Sequence, residues 1–440
     1  MTELFFYDDA TARLFEPFAL TRPACELRAG ALLVRERWQR SLGATVAGVV
    51  TAPHLSDFDE PWGISVVAPR DVIRKGAIIA NSRCAVGLTP IPAADVWRCA
   101  GRVAAVVLDR DVDVEELSKG ELALEKLAQA NSRKNSRSVD VQGRWIEHVW
   151  DYLAHLSAML KEDIPVLAVS ATRSGHMVGM VVGDDAGAGV FAEDGATVEP
   201  QVLFDTTAGP VLIRKGATIQ AFTRVIGPCF IGADSLIGSD KISGSSIGET
   251  CKVHGELSAT ILIGHSNKGH DGYVGHSYFG RWVNLGAGTI TSNLKNTYGT
   301  VQLWTPEGVR DTGLQFLGTF FGDHCKTGIG TLLNTGTVIG TAANVYGGAT
   351  TPKCIPPFAW GERPPYSTYR MDKFVEVARR MMARRHVELS AREARQLTAA
   401  FEKRWSIDGD SGAGGGDRGA AADGADTKGR RTAATKRAKR

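Results

Sequence analysis

Residues 211–238 read VLIRKGATIQAFTRVIGPCFIGADSLIG, and this stretch decides the fold of the C-terminal half. Every sixth position from Ile213 to Ile237 is a branched aliphatic residue, and a second series runs from Phe321 to Val345, in which four of five positions are apolar. A period of six is too long for a helical turn, and it is typical of a solenoid whose triangular coils use one hexad per face. A β-sandwich would instead need turns at spacings of about 8–12 residues. The pattern therefore predicts a left-handed parallel β-helix of hexapeptide repeats.

Polar residues concentrate where this register is interrupted, at about 254–284 and 294–320. Insertions into a solenoid leave the stack as loops, and such loops often carry function. The first interruption is rich in histidine, which titrates near neutral pH and accepts protons from amine nucleophiles. The candidate residues in and beside it are His254, His265, Lys268, His270, Asp271, Tyr273, His276, Asn284 and Asn293.

The N-terminal half has a different texture. Short apolar runs alternate with stretches in which apolar residues recur every three or four positions, and this alternation favours a layered α/β sheet. The predicted strands are Leu4–Tyr7, Val46–Val50 and Val103–Leu108, and the predicted helices are Cys25–Arg40 and Arg144–Lys161.

Four parts are predicted along the chain. An α/β domain covers residues 1–185, and the β-helix covers 186–362. Helices follow over 363–407, where Ser390 and Glu393 have the spacing of a capping box. Residues 408–440 are rich in glycine, alanine and charge, so they cannot bury enough apolar surface to fold.

Composition limits the function classes. The formal net charge is +3, but seven basic residues lie between Lys428 and the end, so the rest of the chain is net acidic and nucleic-acid binding is not expected. The seven cysteines show no paired spacing, which is typical of reduced thiols in a cytoplasm. No apolar run has the length of a signal peptide or a membrane span.

The segment NKGHDGYVGHSYFGRWVNLGAGTITSN, residues 267–293, resembles the acetyltransferase part of the bifunctional GlmU-like enzymes. Those enzymes are uridylyltransferases of N-acetylglucosamine-1-phosphate and acetyltransferases of glucosamine-1-phosphate. The resemblance implies that His270 is the catalytic base and that Tyr273, Asn284 and Asn293 bind the sugar phosphate. It also implies that the protein is a homotrimer. The family's phosphate-binding lysine falls on Ser258, so Lys268 or Lys295 would replace it. Lys326 and Asn334 are the implied contacts of acetyl-CoA.

Residues 5–38, FFYDDATARLFEPFALTRPACELRAGALLVRERW, resemble the start of a divergent, sugar nucleotidyltransferase-like branch of the same proteins, as do 322–340 and 352–362. The implied product is an activated N-acetylated amino sugar, UDP-N-acetylglucosamine, made from a nucleoside triphosphate. The glycine-rich phosphate loop of standard nucleotidyltransferases is missing. The predicted substitutes are Arg22, Arg28, Asn81 and Arg83 for the nucleotide, and Asp8, Asp9 and Asp109 for Mg²⁺.

Three other interpretations remain open at this point. The first is that the protein has one of the two activities alone, and the second is that it binds a sugar nucleotide without catalysis. A zinc-dependent, carbonic anhydrase-like site is the third, because His265 and His270 have the five-residue spacing found in hexapeptide-repeat carbonic anhydrases.

Overall fold

The structure is a computed structural model that describes residues 2–130, 136–173, 179–183 and 189–406. The predicted disordered segment 408–440 lies outside the described residues. Within them, no helix has the length and apolar character needed to cross a membrane. The α-helices are α1 (Val34–Leu42), α2 (Val114–Leu117), α3 (Leu124–Ala130), α4 (Asp151–Ala154), α5 (Leu156–Leu167), α6 (Met371–Ala383) and α7 (Ala391–Lys403).

A six-stranded sheet forms the centre of the front half, and the three predicted strands are present in it. Three central strands run parallel, whereas Arg102–Val107 runs antiparallel to Ile78–Asn81. The carboxyl ends of the parallel strands therefore meet at one edge, and the end of Arg102–Val107 lies at the opposite edge. In spatial order the strands are Ser138–Asp140, Val96–Cys99, Arg102–Val107, Ile78–Asn81, Glu3–Tyr7 and Thr45–Val50.

Both predicted helices of this half begin later than expected. The first starts at Val34, because Gly30 has a φ of 63° and lies in a turn between the paired strands Arg28–Ala29 and Leu32–Leu33. The second starts at Asp151, because Gly143–Trp145 pairs as a strand with Cys84–Val86. In both segments, the first residues of the predicted helix form paired strands instead, although their apolar spacing also suits a helix.

Three sheets form the faces of the predicted β-helix, here called faces A, B and C. Their strands pair in parallel except at two ends, where Thr172–Arg173 and Ser367–Thr368 pair antiparallel. The residues of the first hexad series are all fully buried inside the prism. Face A contains Thr172–Arg173, Val190–Ala192, Val211–Ile213, Cys229–Ile231, Ser246–Glu249, Ile261–Gly264, Tyr278–Arg281, Phe320–Phe321, Val338–Ile339 and Cys354–Ile355. Face B contains Thr197–Val198, Thr218–Ile219, Leu236–Ile237, Lys252–Val253, Asn267–Lys268, Asn284–Leu285, Lys326–Thr327, Asn344–Val345, Ala359–Gly361 and Ser367–Thr368. Face C contains Gly179–Val182, Val202–Asp205, Thr223–Ile226, Asp240–Ser243, Leu257–Ser258 and Val274–Gly275, and the pair Ile290–Thr291 and Leu332–Leu333 continues it.

The prediction that the coil stack is interrupted at residues 254–284 is wrong. Coils continue through 254–284, and only the corner between faces B and C at residues 269–273 is longer than its neighbours. Because the corners differ in length, the hexad register shifts while the coils still stack. The second interruption is a true excursion, since residues 292–319 leave the stack and contain the hairpin Gln302–Thr305 and Gly308–Asp311.

The front half packs on face A through a shared core and a buried set of ions. The Tyr278 hydroxyl accepts a hydrogen bond from the backbone N–H of Arg28 at 2.7 Å and donates one to its carbonyl at 2.9 Å. Arg22 forms ion pairs with Asp323 at 2.8 Å and with Glu60 at 2.7 Å, and all three side chains are almost fully buried. The division of the chain at 185 and 362 stays a prediction, and these contacts join the two parts across it.

The two C-terminal helices cover the end of the β-helix. Phe374, Ala378 and Met382 form the buried stripe of α6 and pack with Trp282 of face A's corner. Half of the predicted capping box is present: Ser390 is the N-cap of α7, and its hydroxyl accepts from the backbone N–H of Glu393 at 2.9 Å.

Glu393→Gln is expected to raise the melting temperature at pH 8.5 and to change it little near pH 5. Burial, followed by the nearby Glu60 and Asp59, raises the pKa of Glu393 to about 8. In the unfolded chain this carboxyl has an ordinary glutamate pKa of about 4.5, so between about pH 4.5 and 8 it is ionised in the unfolded chain and protonated in the folded one. The free energy of unfolding therefore falls as the pH rises through this window. Thermal unfolding at both pH values checks this. Glu402→Gln, on the exposed side of α7, is the control, and an equal effect in both variants would contradict the prediction.

Candidate functional site

The long corner at residues 269–273 carries His270 and is fixed from inside by Lys268. The Lys268 side chain is 2% exposed and points into the prism, in register with Val253. Its ammonium group donates to the carbonyl of His254 at 2.8 Å and to the carbonyl of His270. Burial lowers the pKa of Lys268 to about 8. Lys268 therefore holds the backbone of the corner, and it does not face a substrate as predicted.

Tyr273, Asn293 and His276 form a hydrogen-bonded group on the outside of face C. The Asn293 amide donates to the Tyr273 hydroxyl at 2.8 Å and lies 2.8 Å from Nδ1 of His276. The tyrosine ring reaches across Gly275, where a Cβ would lie 2.2 Å from the hydroxyl. The structure thus brings together two of the predicted sugar-phosphate residues with His276, one of the candidate histidines, and Gly275 is a member that the sequence pattern missed.

His270 is exposed at the beginning of this corner, and among the described residues its ring has no hydrogen-bond partner. The other histidines have structural contacts. His254 pairs with Asp271 at 2.8 Å, and His265 stacks on Trp62 with ring centroids 4.4 Å apart. Burial, followed by the nearby Arg281, lowers the pKa of His265 to about 4. An accessible, unpaired imidazole is what a general base requires.

The zinc interpretation finds no support in the described part of the chain. No group of three or more His, Cys, Asp or Glu side chains there is placed to hold a metal ion. His265 also lies in an aromatic stack beside Trp282, while His270 is exposed at a different corner.

A cavity of about 510 Å³ lies where face C meets the front half. Its lining includes His276, Ser258 and Ser243 from the coils, and the side chains of Leu156 and Phe316 close it. Ser258 is the position at which the resemblance expects a lysine. The hydrogen-bonded group therefore connects the corner of His270 to a cavity of ligand size, within the usual range of about 300–1,000 Å³.

Asn284 lies away from this group, on face B. It accepts a hydrogen bond from the Asn267 amide at 3.1 Å, and it lines a second cavity, of about 260 Å³, together with Lys326. Two other predicted contacts lie outside both cavities: the Lys295 ammonium donates to the carbonyl of Thr300 at 2.9 Å, and the Asn334 amide donates to that of Thr351 at 3.0 Å. Within one chain, the predicted residues are therefore divided between faces B and C.

A third cavity, of about 400 Å³, lies in the front half at the carboxyl ends of the parallel strands. Asp9, Asn81 and Arg83 line it as predicted: the Asp9 carboxylate accepts from the Asn81 amide at 2.9 Å and from Arg83 at 2.7 Å. Arg83 also lies over the Trp145 ring, with its guanidinium carbon 5.2 Å from the centroid. Arg102 and Trp145 are lining residues that the sequence pattern missed.

The other predicted residues of the front half lie elsewhere. Arg22 is held in the buried ion pairs with Asp323 and Glu60, and Arg28 forms an ion pair with Glu249 at 3.1 Å. Both guanidinium groups join the front half to the β-helix and do not face the cleft. Asp109 follows an antiparallel strand, so it lies at the sheet edge opposite to Asp8 and Asp9. The sequence pattern could not show the direction of that strand.

The carboxylates at this edge do not fit a magnesium site. Both oxygens of Asp9 accept hydrogen bonds from Arg83, which already neutralises the charge. Asp8 is buried, and burial raises the pKa of its carboxyl. Mg²⁺ prefers open carboxylates and keeps several waters, and neither carboxyl offers this environment.

Comparison with known proteins agrees with these two halves. Residues 4–172 match the family model described as sugar nucleotidyl transferase. The bifunctional sugar-1-phosphate nucleotidylyltransferase/acetyltransferase of Sulfurisphaera tokodaii is 31% identical over 168 residues, covering 36% of this chain and 40% of that protein. The bifunctional protein GlmU of Synechococcus elongatus is 30% identical over 148 residues, covering 33% of this chain and 28% of that protein.

Together with the fold, these matches define a class: transferase-like proteins that join a sugar nucleotidyltransferase-like front to a hexapeptide-repeat β-helix. Within that class, the resemblance to the bifunctional GlmU-like proteins is confirmed. The chain spans less than half the length of these curated relatives. Among solved structures, an N-acyltransferase of Bacillus cereus in complex with dTDP-4-amino-4,6-dideoxyglucose and coenzyme A is 14% identical, with a TM-score of 0.21, over 47% of this chain and 92% of its own.

Proposed function

We propose that this protein transfers the acetyl group of acetyl-CoA to the amine of an amino-sugar phosphate, glucosamine-1-phosphate, and that its front half then transfers the uridylyl group of UTP to the sugar phosphate, giving UDP-N-acetylglucosamine and releasing pyrophosphate. The observation that carries the proposal is the exposed imidazole of His270, which has no hydrogen-bond partner among the described residues and lies on the same corner as Tyr273, whose hydroxyl accepts from Asn293. The amide and phenol are suited to orient a sugar next to that base.

The chemistry needs one base and one acceptor site. The amine attacks the thioester carbon while His270 takes the amine proton, and the C–S bond then breaks to release the CoA thiolate, which is protonated. Exposed backbone N–H groups of a neighbouring coil would stabilise the charge on the thioester oxygen. The sugar would lie along face C, from the corner of His270 to the cavity lined by His276 and Ser258.

The front cleft has groups that suit a nucleotide. Trp145 supplies an aromatic surface in the 400 Å³ cavity, with the guanidinium groups of Arg83 and Arg102 over its ring. Both arginines are now paired with Glu147, and Arg83 also with Asp9, so a bound phosphate would have to replace these acids. Since the carboxylates do not fit a metal, Mg²⁺ would enter only as the complex of the nucleoside triphosphate. Nucleotidyl transfer is accordingly the second half of the proposal, and nucleotide binding without catalysis is its rival.

One incubation tests both halves. The full chain is mixed with glucosamine-1-phosphate, acetyl-CoA and UTP with Mg²⁺, and free thiol and pyrophosphate are followed separately. Release of both supports two activities. Thiol without pyrophosphate would reduce the front half to binding, and pyrophosphate without thiol would leave nucleotidyl transfer alone. The absence of both products would overturn the proposal.

The working form is proposed to be a homotrimer. The edge between faces B and C carries exposed apolar side chains close to the His270 corner in the stack, including Phe222 at 71% exposed and Ile329 at 78%. Apolar patches of this kind mark surfaces that associate. Self-association there would also bring face B of one copy towards face C of another. The predicted site residues, which lie on two faces of one chain, would then lie together between two copies.

Ile329→Glu is expected to convert the trimer to monomers, because a buried charge at the interface lacks a partner. Sedimentation analysis of the full chain measures this, with Val169→Glu as the control at another exposed apolar residue. A monomeric unmodified protein would contradict the trimer.

The free cysteines support a reducing compartment, so we also propose the cytoplasm as the location.

A further inference from the structure

The 260 Å³ cavity between face B and the end of α6 is strongly basic. It is closed on one side by Asn267, Asn284 and Lys326 of successive coils. The helix contributes side chains spaced three and four residues apart, which therefore share one helical face. The lining residues of this segment are Val377, Arg380 and Met381 of α6, and Arg384 and Arg385, which directly follow the helix.

The charges in this cavity are only partly balanced. No carboxylate lines it, and four basic side chains do. Arg380 is paired with Glu376 on the exposed side of the helix, and the Arg385 guanidinium donates to the Asn267 amide oxygen. The Lys326 ammonium donates to the carbonyl of His324 at 3.0 Å, and no carboxylate of the described residues pairs with it. Arg384 has no ion pair among the described residues.

The position of α6 is set independently of these arginines. Its apolar stripe packs on Trp282 and Phe358, so the helix would remain in place without them. The carboxyl end of a helix carries partial negative charge, so backbone amides cannot attract an anion here, and the arginine side chains must do so. Guanidinium groups bind phosphoryl oxygens through two parallel N–H donors.

We propose that this basic cavity holds a phosphoryl group of a substrate of the proposed acetyl transfer, with Arg384, Arg385 and Lys326 as its ligands. A volume of about 260 Å³ is below the ~300–1,000 Å³ of complete ligand pockets, so it suits one or two phosphoryl groups at the end of a longer molecule. The cavity includes Asn284, the predicted site residue that face C lacks, and it replaces the lysine expected at Ser258. The inference rests on the proposed function for the identity of the ligand.

The test measures binding without turnover. Isothermal titration of the full chain with CoA, glucosamine-1-phosphate and inorganic pyrophosphate is compared between the unmodified protein and Arg384→Ala. We expect at least one of these probes to bind about 10-fold more weakly in the variant, because a charge-assisted pair is lost. Weakening for CoA assigns the cavity to the acyl donor, and weakening for glucosamine-1-phosphate assigns it to the sugar. Arg379→Ala, an exposed neighbour that does not line the cavity, is the matched control and should bind normally.

The outcomes separate this inference from the proposed function. If every probe binds Arg384→Ala and the unmodified protein equally, or if the control loses as much, the basic cavity is not a phosphate site, whatever the enzyme assay shows. If the assay shows no thiol release but pyrophosphate binding still depends on Arg384, the acetyl-transfer proposal fails while the anion site stands. Lys326→Gln gives a second variant, and its pyrophosphate affinity should fall with that of Arg384→Ala.

Discussion

His270→Ala is expected to lower kcat of acetyl transfer about 100-fold or more. The imidazole is exposed, free of hydrogen bonds among the described residues, and placed on a corner whose backbone Lys268 fixes from inside. Removal of a positioned general base costs roughly 10²–10⁴ in rate. The KM for acetyl-CoA should change much less, since the base touches the amine and not the donor. Initial rates of thiol release over a range of both substrates measure the two parameters.

His254→Ala is the matched control for this prediction. It removes the imidazole of the preceding coil, which is paired with Asp271 at 2.8 Å and occupies the corresponding corner. Its kcat should stay well above that of His270→Ala. Equal losses in the two variants would mean that the corner's structure matters and that His270 is not the base, and normal turnover in His270→Ala would also reject the assignment.

Asp323→Ala is expected to lower the free energy of unfolding by about 3–5 kcal/mol, the usual cost of breaking a buried ion pair. Asp323 accepts hydrogen bonds from Arg22 at 2.8 Å, from the Thr21 hydroxyl at 2.8 Å and from the backbone N–H of Arg281 at 2.7 Å. The variant leaves Arg22 buried with Glu60 alone and removes a contact between the front half and face A. Urea unfolding followed by circular dichroism measures the change.

Asp372→Ala provides the comparison at the surface. Asp372 pairs with Arg370 at 2.7 Å, but both side chains are more than half exposed. Such pairs contribute about 0–1 kcal/mol, because water screens them and both chains lose freedom. If the two aspartate variants unfold at the same urea concentration, the ion pairs at face A do not stabilise the joint between the halves.

The β-helix could be predicted from the sequence because its six-residue period of apolar residues recurs from coil to coil. Most inward positions are apolar because they fill a narrow prism, so the series from Ile213 to Ile237 identifies the fold without any neighbouring segment. The corner of His270 was found by motif, and Tyr273 and Asn293 are in contact as the motif implies. Length variation between corners was misread as a break, since a hexad count cannot tell a longer corner from an insertion.

Only the tertiary structure decided which charged side chains face solvent or a cavity. Arg22 and Arg28 look like phosphate ligands in sequence, yet both pair with acids brought from more than 200 positions away. Asp109 lies at the wrong edge because its strand runs antiparallel. The basic cavity arises where α6, packed by its own apolar stripe, faces residues of three separate coils. The sequence by itself determined the repeating coil, because that pattern is local. The pairing of distant charges, the direction of a strand and the position of a helix depend on contacts between segments far apart in the chain, and only the folded structure shows them.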